Sequence, residues 1–166
     1  MFWKPPPPIA ASPEIRRAEK RDVARLVELW MALMAVHEKA DSRFEVVDAT
    51  PQIMSQRFHY LMHDRDALVL VSTDGDEVVG FIVGNIDVNL PFFKGTLIGF
   101  VADLFVDPDY RRTGRARRMV EALRGWFLAR RVSSIQLHAA ACNPSAHDFW
   151  AQMGFRDYLV RMLADV

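Results

Sequence analysis

Residues 111–118 hold five arginines with Gly114 among them, in the run Arg111-Arg112-Thr113-Gly114-Arg115-Ala116 and on into Arg117-Arg118. The chemistry this implies is anion binding. An apolar run, Val101–Val106, and a turn, Asp107-Pro108-Asp109-Tyr110, lead into the loop, and a strongly helical stretch follows it. Backbone N–H groups at a helix start converge on one point, and the helix dipole favours negative charge there. A glycine admits a ligand without a Cβ in the way. Taken alone the loop also reads as a plain strand–turn–helix joint with solvated arginines. As a binding site it suits a phosphorylated cofactor.

Other chemistry-bearing residues are more isolated. His59 and His63 are spaced to share one helical face, a geometry that can hold a metal, but no third ligand is near in sequence, so no metal is expected. Cys142 is the sole cysteine and has no paired base, which suits a small buried thiol. His147 falls outside its helix's apolar stripe and reads as solvated. Glu38, Asp41 and Glu45 can attract a cation or simply decorate an ordinary loop. The apolar loop Asn89–Gly95 can wall a pocket, join a dimer partner or cover a sheet edge.

The elements that position these residues follow from periodicity. A short strand at Ile15–Arg17 precedes a helix capped by Asp22 and running to about Glu38, with Val23, Leu26, Val27, Trp30, Leu33 and Met34 on one face. Thr50-Pro51 starts a second helix to about His63. Strands are predicted at Ala67–Ser72, Val78–Asp87 and Leu97–Val106, the first two joined by the turn Thr73-Asp74-Gly75-Asp76. The helix after the glycine loop reaches about Arg131, burying Ala116, Met119, Val120, Leu123 and Phe127 and turning Arg117, Arg118, Glu121 and Arg124 outward. Ser134–Ala139 is a strand, Ser145 caps a short helix ended by Gly154, and Tyr158–Leu163 closes as a strand. This order implies one α/β (α+β) domain over residues 13–166, a mixed sheet with helices on both faces. Residues 1–12, with Pro5–Pro8, read as a stiff proline-rich tail.

Composition excludes several classes. Lys+Arg and Asp+Glu balance at 21 each, which argues against a nucleic-acid or membrane-surface binder despite the arginine cluster. A single cysteine permits no intrachain disulfide and fits the reducing cytoplasm. No apolar run approaches the ~20 residues of a membrane span.

Arg111-x-x-Gly114-x-Ala116 resembles the cofactor motif R/Q-x-x-G-x-G/A of the GCN5-related N-acetyltransferase (GNAT) superfamily. Asn143-Pro144-Ser145-Ala146-His147-Asp148-Phe149-Trp150-Ala151-Gln152-Met153-Gly154-Phe155 resembles its second signature, and Asp103–Tyr110 its strand-and-turn lead-in. The resemblance is strong over residues 97–156 and weak upstream. It implies a mostly antiparallel sheet whose fourth and fifth strands splay apart around acetyl-CoA. The amides of Arg111, Arg112, Thr113, Gly114, Arg115 and Ala116 would hold the pyrophosphate, and the backbone of Leu104, Phe105 and Val106 the pantetheine arm. Asn143 would contact the arm, and Phe149 and Trp150 would flank it.

The implied activity is acetyl transfer to a primary amine, of a small molecule or a protein, by direct attack in a ternary complex. The amine must first lose its proton to a base. Family members resembling polyamine acetylases carry a glutamate where this chain has Ala102, and many place a tyrosine acid where it has Trp150. Asp103, adjacent to Ala102, is expected on the opposite strand face. Asp103 and His138, the latter in the fifth strand, are the candidate catalytic groups. The departures at Ala102 and Trp150 keep open a catalytically silent acyl-CoA-binding sensor. The expected partners are the amine and a second copy of the chain, with no nucleic acid and no membrane.

Overall fold

The structure, a computed structural model, describes residues 14–89, 92 and 97–164. The proline-rich tail and most of the Asn89–Gly95 loop lie outside them. Among the described residues five strands form one sheet in chain order: β1 (Glu14–Arg17), β2 (Ala67–Asp74), β3 (Glu77–Val88), β4 (Leu97–Val106) and β5 (Ser134–Leu137). The first four pair antiparallel, and β5 joins β4 in parallel.

Four helices cover the sheet: α1 (Val23–Ala40), α2 (Thr50–His63), α3 (Arg115–Ala129) and α4 (Pro144–Gln152). Residues Ala67–Thr73 of β2 are buried without interruption, as a strand covered on both faces requires. Their alternation divides the core. Val69 and Val71 pack with Leu26, Leu29, Phe58 and Phe81 beneath α1 and α2. Leu68 and Leu70 pack with Met119, Val120, Leu123 and Phe127 of α3. The apolar stripes of α1 and α3 thus seat the helices as expected, with Leu29 an added buried member on α1.

One irregularity decides which way the functional face points. Val83 pairs with Asp103 and Gly84 with Val101, so Ala102 is an extra residue opposite no partner. This is a β-bulge, which breaks the two-residue alternation. Ala102 packs on the α1/α2 core, and Asp103 also turns to that side, contacting Trp30 of α1 and Arg57 of α2. The expectation that Asp103 faces away from Ala102 is therefore corrected: the bulge puts both on one face.

Other boundaries are also revised. β5 ends at Leu137, so His138 lies just beyond the strand. Tyr158–Leu163 forms no strand. Asp22 stands at the N-cap position of α1 as expected but makes no side-chain cap bond; its carboxylate accepts the Glu19 amide at 2.7 Å and pairs with Arg16 at 2.6 Å, fastening β1 to the α1 entrance. The cap of α4 is Asn143 rather than Ser145, its Oδ1 accepting from the Ala146 amide at 3.1 Å.

Candidate active site

The glycine loop has more shape than a bare helix start. Gly114 caps α3 with φ +80°, and Arg112 adopts φ +62°, a left-handed conformation uncommon for a residue with a side chain. Left-handed residues among right-handed ones curl successive amides toward one point, an anion nest. Behind it, the first-turn amides of Arg115, Ala116 and Arg117 have no intrahelical acceptor. A Cβ built on Gly114 meets nothing within 4 Å, so the space before the nest is open to a ligand.

Two of the arginines brace this loop. Arg115 is 6% exposed and points away from the nest. It donates to the Thr73 carbonyl at 2.6 Å, Ser72 Oγ at 3.2 Å and Asp74 Oδ1 at 2.7 Å, tying the start of α3 to β2. Arg111 folds back over Phe105 and donates Nε–H to the Val106 carbonyl at 2.9 Å, so that oxygen of the proposed arm-binding run already has a partner. Thr113 closes the turn by donating to the Tyr110 carbonyl at 2.6 Å. Arg25 of α1 steadies the approach, reaching the Val78 carbonyl at 3.0 Å and Asp107 at 3.2 Å. Arg117 and Arg118 are exposed as expected. Arg124 is not: it binds the Met153 carbonyl and stacks on Phe155.

Next to the nest the sheet opens. The parallel ladder between β4 and β5 runs from Ile98↔Ser134 to Val101↔Leu137 and stops. Ala102–Val106 continue β4 with β3 on one side and no strand on the other among the described residues. The splayed pair that the resemblance implies is present. An extended ligand arm can lie along the open edge of Leu104, Phe105 and Val106 as a missing strand would. Asn143 caps α4 on the far side of the opening, so its carbonyl oxygen is committed to the helix. Phe149 and Trp150 pack into the α3-side core, with Trp150 between Phe149 and Phe155 at ring separations of 5.0 and 5.1 Å.

On the α1/α2 side of the opening stands a charged cluster. Asp103, its side chain 11% exposed, accepts from Trp30 Nε1 at 3.0 Å on one oxygen and from Arg57 Nη1 at 3.0 Å on the other. Both carboxylate oxygens are thus engaged by donors. His138 stacks edge-on against Phe100, ring centroids 5.1 Å apart, and makes no hydrogen bond among the described residues. Trp30 was legible only as a core-face residue, and Arg57 carried no sequence signal. They meet Asp103 across separations of 73 and 46 residues.

The remaining candidates are elsewhere. His63 Nδ1 lies 2.7 Å from the His59 carbonyl, and no group of three His, Cys, Asp or Glu suited to a metal occurs among the described residues. Cys142 is exposed, not the buried thiol expected, because the chain turns at the surface before α4. His147 is exposed against the Ala140 carbonyl at 3.1 Å. Asp41 serves its own turn by accepting from the Arg43 amide and guanidinium, while Glu38 and Glu45 are exposed. Phe92 of the apolar loop is 74% exposed.

The sequence profile of the Acetyltransferase (GNAT) family matches residues 30–155. The chain belongs to the GNAT acetyltransferase family. An N-acetyltransferase of uncharacterised role from Archaeoglobus fulgidus is 27% identical over 146 residues, covering 86% of this chain and 92% of that protein. A tetramutant of a Bacillus halodurans protein superposes with TM-score 0.83 at 24% identity, over 92% of this chain and 99% of the other. An aminoglycoside N-acetyltransferase in complex with CoA superposes with TM-score 0.76 at 12% identity, over 96% and 97%. The nest, the open β4 edge and the splayed strands accordingly sit in an N-acetyltransferase fold. No helix of the described residues is long and apolar enough to cross a membrane.

Proposed function

We propose that this chain is a cytoplasmic acetyl-CoA-dependent N-acetyltransferase that transfers the acetyl group to a primary amine, of a small molecule or a protein, by direct attack in a ternary complex. The observation that carries it is the end of the β4–β5 ladder at Val101↔Leu137 beside the amide nest at Arg112–Ala116. Those amides, with Arg111, receive the pyrophosphate. The Leu104–Val106 edge aligns the arm, Asn143 borders it from the α4 side, and the Phe149/Trp150 helix flanks it. Bound acetyl-CoA supplies the activated thioester.

The protein's own residues orient the acceptor and take its proton. Asp103 is ill suited as the base, since each oxygen already accepts a strong donor. We assign it to positioning: it locks the Trp30 indole and the Arg57 guanidinium in the acceptor wall. His138, without a hydrogen-bond partner among the described residues and exposed at the mouth of the opening, is the group that accepts the amine proton. Trp150, half-buried between Phe149 and Phe155, would offer a departing thiolate no proton, since its indole N–H is no proton donor to sulfur.

A silent acyl-CoA sensor is the second reading, favoured by Ala102 at the usual glutamate position and by the engagement of Asp103. Thiol release from acetyl-CoA, measured across polyamines, amino acids, aminoglycosides and peptide N-termini, separates the two. Turnover with intersecting initial-velocity lines supports the ternary enzyme. Thermal stabilisation by acetyl-CoA with no thiol release from any acceptor supports the sensor.

A further inference from the structure

One polar side chain on the acceptor face has no partner. Phe81 and Val83 of β3 pack into the α1/α2 core, and β3 runs without a bulge of its own from Phe81 to Asn85. Strand alternation therefore puts Asn85 on the same face. Asn85 is half-buried; its Oδ1 is closed off from solvent and pairs with nothing among the described residues. A closed-off carbonyl oxygen is costly unless a donor reaches it. No hydrogen bond among the described residues holds Nδ2 either, so half a turn about χ2 exchanges the two ends of the amide without losing a bond.

Asn85 stands at one end of a row. It pairs across the ladder with Phe100 of β4, and beyond Phe100 lies His138, ring centroids 5.1 Å apart. Phe100 is half-buried and belongs to neither half of the core. It sits one residue before the β4–β5 ladder ends, at the foot of the opening proposed for the cofactor arm. With strands about 4.8 Å apart, roughly 10 Å separates β3 from β5 across this ring. The notch so formed has an amide on one flank, an aromatic floor and an imidazole on the other flank. Both flanks can accept an N–H, and an aromatic face attracts a cation. The notch suits an amino group.

We propose, on the acetyl-transfer reading, that the acceptor's amino group docks over Phe100 between Asn85 and His138, and that Asn85 selects primary amines over secondary ones. A neutral primary amine has two N–H bonds. One donates to Asn85 Oδ1, the other to His138, and the lone pair is left for the thioester carbon. As the C–N bond forms and the C–S bond breaks, sulfur leaves with the electron pair and one amine proton passes to His138. The second N–H stays on the amide nitrogen of the product, held by Asn85 throughout. A secondary amine has a single N–H, which it must surrender, so it cannot satisfy Asn85 and His138 together. Its extra carbon also meets the Asn85 amide where a hydrogen should be.

The test uses the whole chain, the primary amine that releases thiol fastest from acetyl-CoA, and its N-methyl counterpart. The native chain should favour the primary amine by about 30-fold in kcat/KM. Asn85→Leu, similar in shape but without the oxygen, should cut kcat/KM for the primary amine about 10-fold and leave the N-methyl amine and CoA affinity unchanged, bringing the preference to about threefold. Asn85→Asp keeps an oxygen acceptor and should keep the preference. An unchanged preference in Asn85→Leu, a lost preference in Asn85→Asp, or a native chain indifferent to N-methylation overturns the proposal. If no acceptor releases thiol, the transfer reading fails by itself and binding decides the subsite. In CoA-saturated protein the Asn85 side-chain amide resonances, assigned by their absence in Asn85→Asp, should shift saturably with propylammonium and not with trimethylpropylammonium. Resonances that propylammonium leaves unmoved overturn the subsite, and the same spectra decide if Asn85→Leu fails to fold.

Discussion

The two sides of the strand opening are built in opposite ways. The nest and arm edge of the proposed cofactor side are consecutive chain: the end of β4, the turn at Asp107–Tyr110, the nest and the first turn of α3 run from Leu104 to Arg117 without a break. Its braces hold the loop by backbone conformation and by Arg111 and Arg115. The acceptor side is assembled from distant pieces, with Trp30, Arg57, Asp103 and His138 contributed by α1, α2, β4 and the segment after β5. A site written in one stretch is set by local geometry and changes little when a distant helix shifts. A site gathered from several elements inherits every change in their packing.

The largest effect should come from breaking the cofactor side at its glycine. Gly114→Val forces a β-branched residue to φ +80° and sets side-chain atoms in the ligand's space. Strain of ~1–3 kcal/mol and the lost approach together should weaken CoA binding by about 100-fold or more. Calorimetric titration with CoA checks this; affinity within threefold of the native chain would remove the nest from the site.

On the acceptor side, His138→Gln should lower kcat by about 100-fold with CoA affinity unchanged and abolish the acidic limb of the pH–rate profile. Arg57→Ala and Asp103→Asn form a sharper pair. If Asp103 positions the wall, both should reduce kcat/KM about 10-fold, raise KM and leave the pH profile in place. A flattened profile in Asp103→Asn alone would make it the base instead. Arg57→Ala also leaves a nearly buried carboxylate without its counter-charge, a loss of roughly 2 kcal/mol readable by urea unfolding.

Smaller effects separate support from binding. Arg115→Met removes three hydrogen bonds between α3 and β2 and should cost ~2 kcal/mol of stability, with at most a modest loss of CoA affinity. Asp22 tests the far end of the sheet. Burial pushes its carboxyl up, but the Arg16 guanidinium and the Glu19 amide outweigh that and hold it below its ordinary value of 3.8. A carboxyl held low when folded stabilises the protein above that ordinary value and loses the contribution as pH falls through the folded value. Asp22→Asn should thus be less stable than the native chain by about 1 kcal/mol at pH 7, and the two should converge below pH 3.8.

The same division explains what the sequence could disclose. The nest, its glycine and the helix behind it were readable because every part lies within a few residues of the next. The stripes of α1 and α3 and the strands β2 to β4 were readable from periodicity. The direction of Asp103 was not, because an unpaired residue in a strand leaves no mark in composition and inverts the parity of all that follows. Arg57 and Trp30 were hidden for a different reason: an ion pair bridging 46 residues has no local signature. The end of β5 at Leu137 and the unpaired Tyr158–Leu163 failed together. Strand propensity reports a side chain's fit to a sheet and cannot say whether a neighbouring strand is there to receive it.

The bulge at Ala102 works as a phase shift within one strand. Upstream, Gly99 and Val101 lie on the α3 face and Phe100 keeps to the α1/α2 side; downstream, Asp103 and Phe105 occupy that side as well. Straightening the bulge without loss of a residue would act as a frameshift in three dimensions, turning Asp103 away from Trp30 and Arg57 while leaving every upstream side chain in place. Deleting Ala102, by contrast, would keep Asp103 on its present side. The strand thereby carries two independent reading frames, and the acceptor wall can be rewritten in one without disturbing the other.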